Sequence, residues 1–424
     1  MADIGLLWCV SEESPRLEYV LRVLCQEWLQ IPYKVVRAKA YQPHQKPTGW
    51  RVIAYGPEPI PETDLEIPYT GFITRTGTAW MLPPWNEGGF FPSEGDFPWD
   101  LPAMAFYVLT LYPLYQWAYG YDEWGLYAWD RAPFYRAPFW NEPFVLLRWY
   151  ELLARLGLNV PRPPFTWEVG WDIDHLYAWK GRKGLRWIGG GVWRGNLCQR
   201  LRVRYGGERD PYDTISAITA HFSPAHSRFF FLLSNTHPRD NQKPPKQPDL
   251  RQTIRSLVER GYSVGLHPSF TTRDAPLRLK KEKALLETYA GQSIRESRQH
   301  YLRFWMPSTF QNLSEAGIEE DFTLAFPKRS GFLLGTTLSV PFYRVDKEKE
   351  LPLRLWSPVL MDRVYVQGEV AFSSPKEDRT IGPPPELTEE IKRLLRVGAQ
   401  VGGRLHFIWH NSTWNSFPLE VFRE

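Results

Sequence analysis

Apolar positions recur in two rhythms along this chain, and the change from one to the other predicts two folding units. Near the start, Ile4-Gly5-Leu6-Leu7-Trp8 predicts a strand and Pro15 to Leu29 an amphipathic helix, with extended segments at Val35-Val36 and Val52-Ile53-Ala54-Tyr55. Together they predict a small α/β domain. Between Glu58 and Asp100 Pro and Gly are dense and no period lasts, so long loops or short strands are expected. Leu101 to Tyr121 is uncharged and long enough to span a membrane, but Pro102, Pro113, Gln116 and several tyrosines suit a hydrocarbon span poorly. It reads as a buried helix pair, with peripheral membrane contact as the alternative. Phe144 to Leu156 predicts a helix stopped at Gly157, and Pro161-Arg162-Pro163-Pro164 a stiff connector. The boundary is therefore set after residue 163, giving domains 1–163 and 164–424.

Beyond that boundary strands and helices alternate, which predicts a parallel sheet. The strands are Phe165 to Trp171, Phe229 to Leu233, Ser263 to Leu266, Arg298 to Phe304, Phe322 to Ala325, Phe332 to Leu334 and Leu405 to Trp409. The helices are Asp249 to Arg260, one through Ala284-Leu285-Leu286 capped by Gly291, one ending at Gly317, and Thr388 to Val397. These are enough units to curl into a barrel.

Composition narrows the function. The chain has 424 residues, with 51 basic against 47 acidic, so the charge balance gives no support to a nucleic-acid partner. Cys9, Cys25 and Cys198 are isolated, which excludes a disulfide framework or a thiolate zinc cluster and fits a reducing compartment. Met1-Ala2-Asp3-Ile4 leads straight into a strand without a basic leader, so a cytoplasmic protein with no transmembrane span is expected. The 20 tryptophans within a 15% aromatic content allow sugar-stacking surfaces, although core filling is the commoner use.

Four strand-like runs end in metal-capable or proton-carrying side chains. Asp172 and Asp174 stand two apart on an extended chain and share a face, where their repulsion calls for a cation. His267 precedes Pro268, which cannot continue a central strand, so its imidazole sits at a strand end and suits a zinc ligand. Arg298-Gln299-His300 offers a guanidinium and a ring nitrogen, and Phe407-Ile408-Trp409-His410 delivers a histidine suited to general-acid work. Strand ends are where parallel α/β folds assemble their chemistry. Mid-strand His406 reads as a core residue.

Taken in order, these segments resemble the NodB-homology polysaccharide deacetylases, and more closely a bacterial branch whose first motif reads T-H-D-V-D. Here that motif stands as Gly170-Trp171-Asp172-Ile173-Asp174. Arg209-Asp210-Pro211-Tyr212-Asp213-Thr214, Gly265-Leu266-His267-Pro268-Ser269, Ser297 to Phe304, Met361-Asp362 and Trp409-His410-Asn411 extend the resemblance over residues 165 to 424. Ala105 to Leu109 and Tyr121-Asp122-Glu123-Trp124-Gly125 are similar to the N-terminal domain that accompanies the branch, whose chemistry is unassigned; the uncharged Tyr112 to Trp117 departs from it.

The resemblance implies a distorted (β/α) barrel of fewer than eight units, preceded by the smaller α/β domain. It also implies a divalent metal, usually Zn2+, and a metal-activated water that attacks an N- or O-acetyl group on an oligosaccharide or polysaccharide. Carried over by position, Asp172 is the base, Asp174 and His267 are ligands, His410 is the general acid and Arg298 orients the base. The second motif departs from H-x-x-x-H, with Thr271 in the second histidine's place. His300, on the next strand of a sequentially wound barrel, is expected to replace it, with His175 or water as the alternative; Asp362 is expected to orient Arg298 or His410. The alternative to a hydrolase is an inactive carbohydrate-binding or scaffold protein on the same fold.

Overall fold

Short β-branched and aromatic runs set the strands, and glycines in left-handed conformation end the helices that connect them. Gly157, Gly291 and Gly317 each follow a helix with φ of 69°, 72° and 76°, a conformation that costs glycine nothing. The computed structural model describes residues 4–79, 81–115, 120–123, 125–129, 137–180, 196–234, 237–240, 247–366 and 383–422. Gln116, Trp117 and Trp124, noted in the sequence, lie outside the described residues. Contacts divide the chain into two compact units, one of residues 1–166, 331–357 and 398–404, the other of 167–330, 358–397 and 405–424.

The first unit holds a parallel four-stranded sheet of β1 (Leu6–Val10), β2 (Tyr33–Arg37), β3 (Arg51–Tyr55) and β4 (Leu65–Ile67), in the order β2-β1-β3-β4. The helix Pro15–Leu21 widens into a π-helical stretch, Arg22–Trp28. Residues 331–357 return to this unit and contribute the antiparallel hairpin Val340–Arg344/Lys349–Leu355. From that hairpin Glu348 pairs with the buried Arg16, at 2.6 Å. The uncharged stretch forms the helix Leu101–Leu109, buried at every residue, and a 3-10 turn, Tyr112–Tyr115. No helix among the described residues is long and apolar enough to cross a membrane.

Among the described residues the second unit holds all or most of seven strands: β5 (Phe165–Ile173), β6 (Ser227–Phe231), β7 (Ser263–Leu266), β8 (Glu296–Ser297), β9 (Glu320–Asp321), β10 (Leu360–Met361) and β11 (Gly403–His410). Their order is β9-β8-β7-β6-β5-β11-β10, and the pairs β5/β6, β6/β7, β7/β8, β8/β9 and β10/β11 are parallel. The protein is thus mixed α/β with parallel sheets. Register lines up Ile173 with Phe231, Phe231 with Leu266, Leu266 with Ser297 and Ser297 with Asp321. The residues that follow each position therefore share one rim.

The row is strongly curled. Five steps separate β9 from β11, roughly 24 Å in a flat sheet at about 4.8 Å per step, yet the rings of Phe322, just past β9, and His406 in β11 have centroids 4.9 Å apart. Early in the strands, buried Arg228 binds Glu168 at 2.6 Å and Glu296 at 2.7 Å, and Glu168 also meets His406 Nδ1 at 2.6 Å. Burial alone would raise the Glu168 carboxyl, but His406 and Arg228 outweigh it and hold the group well below the usual carboxylate range. His406 thus belongs to the core. So do Trp171 and Trp409, which are fully buried.

Three expected strands differ from observation. In place of Phe322 to Ala325 the strand is Glu320–Asp321, which ends before those residues begin. Where a strand is expected from Arg298 to Phe304, the observed strand has already ended at Ser297 and the chain turns through a 3-10 segment, His300–Leu302, with φ of 61° at Tyr301 and 51° at Leu302. The Arg298 side chain turns inward and is fully buried, so the chain leaves the sheet there. Phe332 to Leu334, expected as a strand, forms turns in the first unit, where the Phe332 N–H donates to the Trp140 carbonyl at 2.8 Å.

Candidate metal centre

Strand register delivers the first ligand candidates. Asp172 is the penultimate residue of β5 and Asp174 lies just beyond it, while His267 follows β7 directly. Backbone bonds carry the chain past the strand ends: His267 N–H donates to Phe231 O at 3.0 Å, Arg298 N–H to Leu266 O at 3.0 Å, and His300 N–H to Pro268 O at 3.2 Å. That last bond ties the turn after β8 to the loop after β7. It brings the His267 and His300 rings to 5.0 Å between centroids.

Asp174, His267 and His300 form a group whose ligand atoms all lie within 4.8 Å of one another. Asp174 Oδ1 is 3.3 Å from His267 Nε2 and 3.7 Å from His300 Nε2. Bonds of about 2.0–2.1 Å to a tetrahedral ion place neighbouring ligand atoms about 3.3–3.4 Å apart, so the spacing fits one cation. Thr271 takes no place in the group, and His175 stacks instead against Tyr212.

Both imidazoles are already oriented. His267 Nδ1 lies 2.6 Å from the Arg298 carbonyl oxygen and His300 Nδ1 lies 3.2 Å from Asp240 Oδ1. An Nδ1–H that donates to oxygen leaves the Nε2 lone pair for a metal. Among the described residues His267 Nε2 is buried and meets only the ligand candidate Asp174, 3.3 Å away without hydrogen-bond geometry, a costly arrangement that a cation would relieve. Burial tends to lower the His267 imidazolium, but Asp172 and Asp174 outweigh it and shift it upward; burial would raise Asp174, but His300, His267 and His410 hold it well below its ordinary value. The donor set fits a divalent ion. Sequence reasoning missed Asp240, which lies in a loop with no period or motif to mark it. Asp240→Ala is expected to weaken metal binding about 10- to 100-fold, measured by competition with a chromogenic chelator; unchanged affinity would leave the carboxylate no part in orienting His300.

Asp172 is held differently. Arg298 Nη1 donates to Asp172 Oδ1 at 2.7 Å and to Gly170 O at 3.1 Å, and the guanidinium lies 4.3 Å from the Phe230 ring centroid. Asp172 Oδ2 stands 4.0 Å from His267 Nε2, beside the triad. Gly170 makes this possible, since a Cβ there would fall 2.3 Å from Arg298 Nη2. Gly170→Ala is therefore expected to push Arg298 aside and cost about 1–3 kcal/mol, read by urea denaturation. Wild-type stability in that variant would mean the guanidinium can move without loss.

On β11, His410 Nδ1 meets Asp362 Oδ1 at 2.8 Å, and its Nε2 is 3.8 Å from Asp174 Oδ2. Asp362 thus faces His410, while Arg298 is bound by Asp172. Asp362 also accepts from the His410 N–H at 3.0 Å and from the Thr413 hydroxyl. Burial opposes the imidazolium, but Asp362, Asp174 and Asp172 more than compensate and raise its pKa to about 9. Asp210, within a segment the sequence singled out, accepts the N–H groups of Ala178, Trp179, Lys180 and Tyr212 and fixes the loop that follows Asp174.

Residues 6–159 match a family of unknown function, DUF7033. No curated protein matches the chain. Among solved structures, a protein assigned as a polysaccharide deacetylase from Mycobacterium smegmatis is similar at 16% identity and a TM-score of 0.38, over 62% of this chain and 86% of that one. The polysaccharide deacetylase of Bacillus cereus is similar at 11% identity and a TM-score of 0.29, over 61% and 82%.

Proposed function

We propose that the second unit is a distorted (β/α) barrel of seven strands and that its strand-end site removes acetyl groups from an N- or O-acetylated carbohydrate with a divalent metal, most simply Zn2+. One observation carries this reading. A cation-sized triad with pre-oriented imidazoles lies beside a carboxylate locked by a buried arginine and a histidine held by a second carboxylate. The motif resemblance to polysaccharide deacetylases supports the same chemistry.

Asp174, His267 and His300 would hold the ion, which supplies Lewis-acid polarisation of the acyl oxygen and of water. Asp172 takes a proton from the attacking water as its oxygen adds to the acetyl carbon. Arg298 keeps that carboxylate aimed. His410 gives its Nε2 proton to the departing amine or alkoxide as the C–N or C–O bond breaks, and acetate leaves. Asp362 fixes the His410 ring with Nε2 turned toward the site.

The test is acetate release from a panel of acetylated oligosaccharides by protein stripped with a chelator and by protein restored with zinc. Loss on stripping and recovery on restoring is the expected result. Sugar binding without acetate release under either condition would replace the hydrolase with a carbohydrate-binding protein.

A further inference from the structure

We propose that Asp321 is a positioning residue for the reaction, setting the place of Arg298 and through it the aim of Asp172. The proposal rests on the reading of the site as a deacetylase and adds a residue that touches neither the triad nor the base.

Arg298 is fully buried and hangs by few bonds. Its Nη1 donates to Asp172 Oδ1 at 2.7 Å and to Gly170 O at 3.1 Å, and its Nε donates to Phe322 O at 3.3 Å. Among the described residues Nη2 is buried without a hydrogen-bond partner. The carbonyl of Phe322 is therefore the one anchor that holds the guanidinium from the side away from β5, and where that carbonyl stands decides where the fork points.

Asp321 fixes the carbonyl's surroundings. Its carboxylate, fully buried at the end of β9, accepts the Ser297 hydroxyl at 2.6 Å and the Thr323 N–H at 2.9 Å. Thr323 Oγ1 in turn accepts the Gln299 N–H at 3.0 Å, and the Phe322 N–H donates to Ser297 O at 2.9 Å. The residues before and after Arg298 are thus bound to the residues before and after Phe322, and this bracket closes around the Nε bond. Strands β8 and β9 are each two residues long, so few ladder bonds hold them and the side-chain bonds carry much of their alignment. An aspartate suits the position because two donors from two strands meet its two oxygens; an amide there would turn N–H toward one of those donors and leave both unsatisfied. Burial pushes the Asp321 carboxyl up to about 6 against its hydrogen bonds and the charge of Arg298, so the guanidinium lies within electrostatic reach.

The experiment uses the full-length, zinc-loaded protein and the variants Asp321→Asn and Ser297→Ala, each alone and combined with Arg298→Lys. Acetate release gives kcat and KM, elemental analysis gives zinc, and NMR of arginine-labelled protein gives the solvent exchange rate of the Arg298 Nε–H. Asp321→Asn is expected to lower kcat about 10- to 100-fold, the scale of a small misplacement near the reacting atoms, with KM and zinc content close to wild type. Ser297→Ala should lower it about 3- to 10-fold. In the Arg298→Lys background either substitution should cost less than about twofold, because the residue they position is already gone. A general loosening of the fold would instead multiply the loss in every background. Exchange of the Arg298 Nε–H should quicken about tenfold or more in each single variant. If Asp321→Asn does not fold, Ser297→Ala carries the same comparison. Losses that multiply with Arg298→Lys, a kcat unchanged in the folded single variants, or an unchanged exchange rate would each overturn the proposal. Exchange does not depend on activity, so quickened exchange in a protein that releases no acetate would uphold the hold of Asp321 on Arg298 and sink the deacetylase reading. Acetate release at an unchanged rate in both single variants would do the reverse.

Discussion

Asp172→Asn is expected to slow acetate release by about 10²- to 10⁴-fold, the usual scale for a positioned acid or base, while leaving the metal content unchanged. The carboxamide nearly matches the carboxylate in shape, and its oxygen can still accept from Arg298 Nη1, now at 2.7 Å from Asp172 Oδ1. What disappears is the capacity to take a proton. Metal content separates the two aspartates, because Asp174 lies 3.3 Å and 3.7 Å from the His267 and His300 Nε2 atoms while Asp172 Oδ2 stands 4.0 Å from His267 Nε2. Asp174→Asn should therefore lose the ion and Asp172→Asn should keep it. Elemental analysis showing zinc lost from Asp172→Asn would exchange their roles. A wild-type rate in that variant would remove Asp172 as the base.

What the sequence reveals about this site follows from how strands work. A strand has a fixed direction, so a polar residue directly after an apolar run, as with His267 and His410, is placed at the rim by local information alone. His300 needed one more step, the adjacency of consecutive strands, and the His300 N–H bond to Pro268 O at 3.2 Å is that adjacency in atomic form. Asp240 had no such handle, since its link to His300 spans 60 residues of chain and depends on loop packing. The expected strand through Phe304 fails for a similar reason. Apolar content favoured extension there, but the buried Arg298 and the left-handed Tyr301 turn the chain out of the sheet. Residues 331–357 show the same limit at larger scale, because Phe332 to Leu334 reads locally like another barrel strand. Its partners lie in the first unit, far back in sequence.

His410→Ala is expected to slow acetate release by about a hundredfold or more, with folding and zinc content preserved, because no ligand position depends on this side chain. Its effect should also depend on pH. The acid works only while protonated, so its contribution is present at low pH and is lost as pH rises through its pKa. Neighbouring carboxylates, Asp362 foremost, raise that pKa to about 9 against the cost of burial; a dication at the triad pulls the other way. Asp362→Asn removes the strongest support, so the alkaline limb of the rate profile should move to lower pH. In His410→Ala that limb should vanish. A limb that stays in place in both variants would assign the proton to another donor. A His410→Ala protein that releases acetate at the wild-type rate would deny the residue any part in protonating the leaving group. If the wild-type protein releases no acetate from any acetylated oligosaccharide, binds some of them, and binds them equally well as His410→Ala, the strand-end cluster is a carbohydrate-binding site and the hydrolase is excluded.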